Sequence, residues 1–113
     1  MNGSILIVDD EKAQREILSM ILRGEGYDSA EASGVPEALA QLAMREFDLI
    51  LTDLKMQGQS GLDLLEQVMA DDPQQCVILM TAHGSVDSAV GAMKRGAFDY
   101  LEKPLERETL LLT

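Results

Sequence analysis

Four apolar stretches of the sequence each lead into side chains that can do chemistry. Asp9 and Asp10 follow the first stretch, Asp53 ends the second and Thr81 ends the third. Lys103 follows the last of them. If the four stretches are adjacent parallel strands, an acid pair, a single carboxylate, a hydroxyl and an amine meet at the carboxyl edge of one sheet. Open α/β sheets bind their ligands at that edge.

The acidic members of this set favour a magnesium site. Three carboxylates in one crevice repel each other unless a cation lies between them. Hard oxygen ligands with room for water suit Mg²⁺ better than a soft metal. Taken one at a time, Asp9 and Asp10 are better explained as caps of the first helix, and Asp53 as the end of a strand. The prediction therefore depends on the whole set.

The amine and the hydroxyl extend the prediction to phosphoryl chemistry. The ammonium group of Lys103 can pair with a phosphoryl oxygen, and Thr81 can donate a hydrogen bond to one. A carboxylate such as Asp53 can itself act as the nucleophile and form an aspartyl-phosphate. The sequence contains neither G-x-x-x-x-G-K-[ST] nor G-x-G-x-x-G, so a nucleotide site has no support.

The elements that must hold these residues follow from the hydrophobic pattern. Short apolar runs alternate with segments whose apolar residues recur at helical spacing, which is typical of a doubly wound parallel α/β sheet with helices on both faces. The polar second run predicts an edge strand and the fully apolar first run a central one. This favours the flavodoxin-like strand order 2-1-3-4-5. The five strands are predicted at residues 4–8, 27–31, 47–53, 76–81 and 98–101.

The helices are predicted between the strands. The buried face of the first helix is predicted to comprise Ala13, Ile17, Met20 and Ile21. Ser33 is predicted to cap the second helix, and Ser60 with Asp63 to form a capping box for the third. Gly58 and Gly61 are interpreted as sources of flexibility in the loop before that third helix.

Length and composition restrict the class of protein. The chain has 113 residues and is 46% hydrophobic, which predicts one folded domain over residues 1–113. Its net charge of −11 repels a phosphate backbone, so we expect no direct binding of nucleic acid by this domain. The sequence shows no signal peptide and no run approaching the roughly 18 apolar residues of a membrane helix. The single Cys76 is predicted to be a buried small hydrophobe, and the cytoplasm is the expected location.

The end of the chain carries a further expectation. A last helix is predicted to begin at Leu105, but only residues 105–113 are available to form it. About two and a half turns are marginal for covering one side of a sheet. We therefore expect the helix to be truncated and the chain to be the N-terminal part of a longer protein.

These positions together resemble the receiver domain of bacterial two-component response regulators. The resemblance runs over residues 5–105 and implies a CheY-like fold. It implies that Asp53 is the phosphoacceptor and that Asp10 binds Mg²⁺ directly. It also implies that Asp9 acts mainly through bound water and that the backbone carbonyl of Lys55 completes the protein ligands. The matching residues, in chain order, are Asp9, Asp10, Asp53, Thr81, Ala82, Tyr100, Lys103 and Pro104.

The resemblance also implies how the site is read out. Thr81 would bond the phosphoryl group and draw its loop inward, and Tyr100 would be the rotating aromatic switch. The surface formed by the fourth helix, fifth strand and fifth helix would then change shape. The runs at residues 80–86 and 96–104 resemble receivers of NtrC-like, sigma-54-dependent activators, which carry ATPase and DNA-binding domains after the receiver. The implied partners are a sensor histidine kinase, those downstream domains and, as a candidate, a second copy of the chain.

One position departs from the family pattern. Gln57 follows Met56 where the family often has proline, and this should loosen the phosphoacceptor loop and alter Mg²⁺ affinity and switching rate. His83 and Lys55 occupy the two positions that tune dephosphorylation in the family. The simpler interpretation of His83 is a loop residue with no proton to move.

Three other functions compete with the switch. A Mg²⁺-dependent phosphatase with an aspartyl nucleophile uses similar groups, but its D-x-D-x-[TV] pattern is missing after the first strand. A flavodoxin-like electron carrier needs a phosphate-binding loop where the acid pair stands. A degenerate receiver that serves only as an interaction module is opposed by the presence of all five chemical positions. The resemblance implies a switch that catalyses its own phosphorylation and dephosphorylation, and not a turnover enzyme.

Overall fold

The computed structural model describes residues 3–54, 56, 60–81 and 86–102. Within these residues, β-strands and α-helices alternate along the chain. The strands are β1 (Ser4–Val8), β2 (Asp28–Ala32), β3 (Leu49–Asp53), β4 (Cys76–Thr81) and β5 (Asp99–Glu102). The helices are α1 (Lys12–Gly24), α2 (Val35–Met44), α3 (Gly61–Asp71) and α4 (Val86–Lys94).

The strands form one sheet in the order β2-β1-β3-β4-β5. Every neighbouring pair is parallel. The predicted doubly wound α/β fold and its strand order are therefore confirmed. β1 and β4 have the predicted bounds, and the other three strands differ from theirs by one or two residues; β3, for example, begins at Leu49 and not at Phe47.

Alternate residues of the central strands pack on opposite faces of the sheet, as the two-residue period of a strand requires. On one face, Leu6, Ile50 and Leu79 lie in a core that is closed by buried residues of α2, α3 and α4. On the other face, Ile7, Leu51 and Ile78 contribute to a core with residues of α1. Each fully buried side chain of this size contributes about 1.5–3 kcal/mol. The two cores hold the strand ends, and thus the candidate site, in fixed register.

The predicted buried face of α1 was wrong for Ala13, Ile17 and Met20, whereas Ile21 is partly buried against the core. Ile17 and Met20 are 49% and 69% exposed, whereas Leu18 and Leu22 are buried. Apolar residues cover more than half of the helix circumference, so their spacing is compatible with more than one orientation. In the observed orientation Leu18 and Leu22 join the core, and buried Ser19 on α1 contacts Ser29 on β2, Oγ to Oγ, at 2.7 Å.

The predicted N-terminal cap is confirmed for α3 and differs for α2. The capping box of Ser60 and Asp63 is present at the start of α3. The second helix instead has Gly34 as its N-cap, with no side-chain cap bond. Ser33 lies one residue before this N-cap, and its hydroxyl donates to Oε2 of Glu37 at 2.9 Å, so the predicted cap by Ser33 was wrong. The predicted last helix from Leu105 lies outside the described residues.

Two further expectations concern the chain as a whole. Among the described residues, no helix combines the length and the apolar character that crossing a membrane requires. Cys76 opens β4 and is partly buried. Desolvation by this burial raises the pKa of the Cys76 thiol, which disfavours the reactive thiolate.

Candidate magnesium and phosphoryl site

The parallel register brings the carboxyl ends of the central strands together. Val8 at the end of β1 lies opposite Thr52 of β3, so the residues that follow, Asp9 and Asp53, come to the same edge of the sheet. Asp53 pairs with Met80 of β4, the residue before Thr81. The predicted convergence of an acid pair, a central acid and a hydroxyl on one sheet edge is what the structure shows for these residues.

The three acids form a compact cluster. One carboxylate oxygen from each of Asp9, Asp10 and Asp53 lies within 4.8 Å of the others. Asp9 is fully buried, Asp53 is 8% exposed, and Asp10 is exposed to solvent. The cluster is thus deep on one side and open on the other. Water can reach it from the side of Asp10.

This donor set fits Mg²⁺. All three side chains offer hard oxygen ligands, and their oxygens are close enough to share one small ion. Mg²⁺ usually keeps several waters and binds few carboxylates, which agrees with a cluster that is open at Asp10. Bringing three carboxylates this close also favours a bound cation, because their mutual repulsion is then neutralised.

Hydrogen bonds fix the loop that carries the acid pair. The backbone N–H of Asp9 donates to the carbonyl of Ala32 at the end of β2, at 3.1 Å. Oδ1 of Asp9 accepts from the backbone N–H of Glu11 at 3.0 Å, and Nη1 of Arg15 donates to the Asp9 carbonyl at 2.7 Å. The alternative in which the acids simply cap α1 does not describe the helix start, because the N-cap of α1 is Glu11, without a side-chain cap bond.

Asp53 is held by the close approach of α3. The N–H of Leu54 donates to the Met80 carbonyl and the N–H of Gly61 donates to the Leu54 carbonyl, both at 2.8 Å. A Cβ atom on Gly61 would collide with the backbone carbonyl of Asp53 and lie 3.1 Å from a methyl carbon of Leu79. Gly61 is therefore a buried packing position at the start of α3. The interpretation of Gly61 as a flexible loop residue was wrong.

The candidate switch residues lie on neighbouring strands. Thr81 ends β4 and is 2% exposed. Tyr100 on β5 lies opposite Leu79 and packs, partly buried, against the core on the α3 side of the sheet. Among the described residues, its buried hydroxyl has no hydrogen-bond partner. A buried hydroxyl without a partner is unfavourable, so this side chain gains if it finds one elsewhere.

Several predicted site residues lie outside the described residues. The structure gives no position for the Lys103 amine or the Lys55 carbonyl, nor for Gln57 and His83. Their predicted roles stay predictions. The sequence did not indicate two residues that contact the backbone of the clustered acids, Gly61 at Asp53 and Arg15 at Asp9. No local pattern distinguishes them from an ordinary loop glycine or surface arginine.

The chain belongs to the response regulator receiver domain family, whose model matches residues 5–113. This agrees with the sheet order and with the acid cluster at the carboxyl ends of β1 and β3. As a receiver domain, the chain is a phosphorylation-dependent signalling switch.

Curated relatives match over almost the whole chain. The transcriptional regulatory protein ZraR of Escherichia coli O157:H7 is 44% identical over 112 residues, which is 99% of this chain and 25% of that protein. The response regulator protein PilR of Pseudomonas aeruginosa is 46% identical over 101 residues, or 89% of this chain and 23% of that protein. The chain thus spans about a quarter of the length of the curated relatives it matches.

Solved structures agree with the fold. NtrX from Brucella abortus has a TM-score of 0.93 at 36% identity and covers 99% of this chain and 26% of that one. The chemotaxis protein CheY4 of Vibrio cholerae has a TM-score of 0.94 at 28% identity, over 99% and 95% of the two chains. The expected similarity to the NtrC-like subfamily is confirmed by these relatives together.

Proposed function

We propose that Asp53 accepts a phosphoryl group from the phosphohistidine of a sensor histidine kinase, with Mg²⁺ held by Asp9, Asp10 and Asp53. The observation that carries this proposal is the cluster of three carboxylates, with Asp53 at the end of the central strand and 8% exposed. Membership of the family supports a switch, and the position of Asp53 in this cluster supports Asp53 as the proposed acceptor. Asp9 and Asp10 belong to one loop, so Asp53 is the acid that stands apart at the strand end.

The transfer is an exchange of one bond to phosphorus for another. A carboxylate oxygen of Asp53 forms the new oxygen–phosphorus bond as the nitrogen–phosphorus bond of the donor breaks, and the electron pair returns to the imidazole nitrogen. Bound Mg²⁺ supplies neutralisation of the charge on the transferring oxygens. Lys103 is proposed to pair with a phosphoryl oxygen and the carbonyl of Lys55 to complete the protein ligands. The domain modifies itself and does not turn over a substrate.

Readout is proposed to run through Thr81 and Tyr100. The Thr81 hydroxyl bonds the new phosphoryl group, and its loop moves toward Asp53. Tyr100 then changes its packing, which is favoured by its partly buried ring and by a hydroxyl that has no partner among the described residues. The face made by α4, β5 and the following segment changes shape by a shift between two populated states.

The partners are proposed from the relatives. Proteins about four times as long, described as transcriptional regulators, contain a region like this chain. We propose that this chain likewise works within a longer cytoplasmic regulator, with ATPase and DNA-binding domains after the receiver and transcription as its output. A second copy of the chain is a candidate partner on the output face.

Intact-protein mass spectrometry tests the acceptor. The chain is incubated with acetyl phosphate, with and without Mg²⁺, as wild type, Asp53→Asn and Asp48→Asn. We expect a gain of one phosphoryl group that requires Mg²⁺ and is lost in Asp53→Asn. Asp48 precedes the same strand at its opposite end, so Asp48→Asn is the matched control and should gain the group normally. A phosphoryl group on Asp53→Asn, or none on a folded wild type, would refute the proposal.

A further inference from the structure

Arg15 on α1 is the most buried cation among the ion pairs of the described residues. Its side chain is 15% exposed, whereas the cations of the other pairs, Lys12, Arg45 and Arg95, are 79%, 45% and 43% exposed. Burying a guanidinium group costs free energy unless partners compensate for the lost water. The location of Arg15 therefore depends on the groups that it contacts.

Those groups join the loop that carries Asp9 and Asp10, here called the acid loop, to the carboxyl end of the edge strand β2. Nη1 of Arg15 donates to the Asp9 carbonyl at 2.7 Å, a short, charge-assisted hydrogen bond. Its Nε lies 3.3 Å from Oε1 of Glu31, near the carboxyl end of β2; this contact is an ion pair, and Nε makes no hydrogen bond among the described residues. The Asp9 amide already bonds to Ala32 on the same strand. Arg15 thus adds a side-chain link between two segments that the backbone brings together.

The accepting carbonyl has a particular place in the site. It belongs to the peptide group that connects Asp9 to Asp10. Because a peptide group is planar, holding its oxygen restricts rotation on both sides of it, and so the directions in which the two carboxylates project. The positive charge of Arg15 also lies on the loop that carries two of the three clustered acids.

We propose that Arg15 is a positioning residue for the magnesium site, which orients the Asp9–Asp10 peptide without touching the ion. This rests on the phosphoryl-transfer function proposed above and adds a determinant of its Mg²⁺ affinity. Arg15 is not among the residues of the predicted buried face of α1. Groups that orient metal ligands typically change affinity or activity by about ten-fold or more when they are removed.

Arg23 provides a matched control on the same helix. Its Nε donates to Oγ of Ser29 at 3.0 Å and its Nη2 to the Ser29 carbonyl at 3.2 Å. Ser29 lies near the amino end of β2, the end away from the acids. Arg23→Met therefore removes a comparable link between α1 and β2 and leaves the acid loop unchanged.

The experiment separates metal binding from stability. Mg²⁺ is titrated by calorimetry into metal-free wild type, Arg15→Met and Arg23→Met, thermal unfolding is followed by circular dichroism, and phosphorylation by acetyl phosphate is timed across a range of Mg²⁺. We expect Arg15→Met to raise the Mg²⁺ Kd and the half-saturating Mg²⁺ concentration by about ten-fold, with the rate at saturating Mg²⁺ changed by less than about two-fold. Arg23→Met should lower the melting temperature and leave the Kd within about two-fold of wild type.

The outcomes separate this proposal from the proposed function. The positioning role is overturned if Arg15→Met binds Mg²⁺ as tightly as the wild type, or if Arg23→Met is weakened equally. The proposed function still holds in that case, provided that the wild type is phosphorylated. If the wild type binds Mg²⁺ but takes no phosphoryl group, the proposed function is overturned. The Mg²⁺ affinities of the variants then still decide the role of Arg15. A wild type that binds no Mg²⁺ overturns both.

A second variant covers the case in which Arg15→Met does not fold. Arg15→Lys keeps the charge but replaces the planar guanidinium group, whose Nη1 bonds the Asp9 carbonyl, with a single nitrogen on a side chain of different shape. We expect it to fold and to weaken Mg²⁺ binding several-fold. Unchanged affinity in Arg15→Lys, with Arg15→Met unfolded, would contradict the proposal.

Discussion

Replacing Gly61 with alanine should destabilise the domain strongly for a single added methyl group. The new Cβ would collide with the Asp53 carbonyl and press on Leu79, and a backbone carbonyl cannot rotate away as a flexible side chain can. Overpacking typically costs about 1–3 kcal/mol, and a clash with backbone on one side and a buried leucine on the other belongs at the upper end. With an unfolding entropy of about 2.1 cal/mol/K per residue, a loss of about 3 kcal/mol over a chain of this length lowers the melting temperature by roughly 12 °C.

The same substitution at Gly24 is the control. Gly24 ends α1, and beyond its own helix and chain neighbours no described atom lies within 4 Å of the point that a Cβ would occupy. Its backbone is not in the left-handed region. Gly24→Ala should therefore be neutral or stabilise the chain by about 0.4–1 kcal/mol. Urea and thermal unfolding of both variants, followed by circular dichroism, give the comparison. If Gly61→Ala proved as stable as wild type, the close packing of α3 against the end of β3 would be refuted.

Two further expectations concern the metal and the third helix. Mg²⁺ at one hundred times its Kd should stabilise the wild type by about 2.7 kcal/mol, or roughly 11 °C in melting temperature, and Asp10→Asn should lose most of this rise because one of three clustered ligands is removed. An equal rise in both proteins would contradict the assignment of the cluster. Ser60→Ala should lower the free energy of unfolding by about 1 kcal/mol, or the melting temperature by roughly 4 °C, because the hydrogen bond that the Asp63 N–H donates to Ser60 Oγ is lost. Wild-type stability of Ser60→Ala would show that the capping box contributes nothing.

The fold and the acid cluster could be predicted because their signals are local in sequence. A short apolar run that ends in Asp53 or Thr81 marks both a buried strand and the group at its tip, and parallel strands bring such tips to one edge. The orientation of α1 could not be read in this way. Ile17 and Leu18 are equally apolar neighbours, and which of them is buried depends on contacts distant in sequence, such as those of Leu18 with the core and of Ser19 with Ser29 on β2.

Arg15 and Gly61 were missed for a related reason. Local pattern gives each a default role, solvent exposure for an arginine and loop flexibility for a glycine. Their contacts here are with backbone carbonyls, of Asp9 in one case and of Asp53 in the other. Every residue has a carbonyl, so such a contact leaves no signature in the residue types on either side of it.

The chemistry of the site is therefore visible in the sequence, while the support that orients it is not. Asp9, Asp10 and Asp53 stand out in the sequence by residue type and position. The residues that we propose to orient them, Arg15 and Gly61, lie 6 residues after Asp9 and 8 residues after Asp53. A weaker Mg²⁺ site in Arg15→Met or Gly61→Ala, with all three carboxylates present, is the result that this division of roles requires. Were both variants to bind Mg²⁺ as the wild type does, the carboxylates would have to orient themselves, and the two contacts would be matters of packing alone.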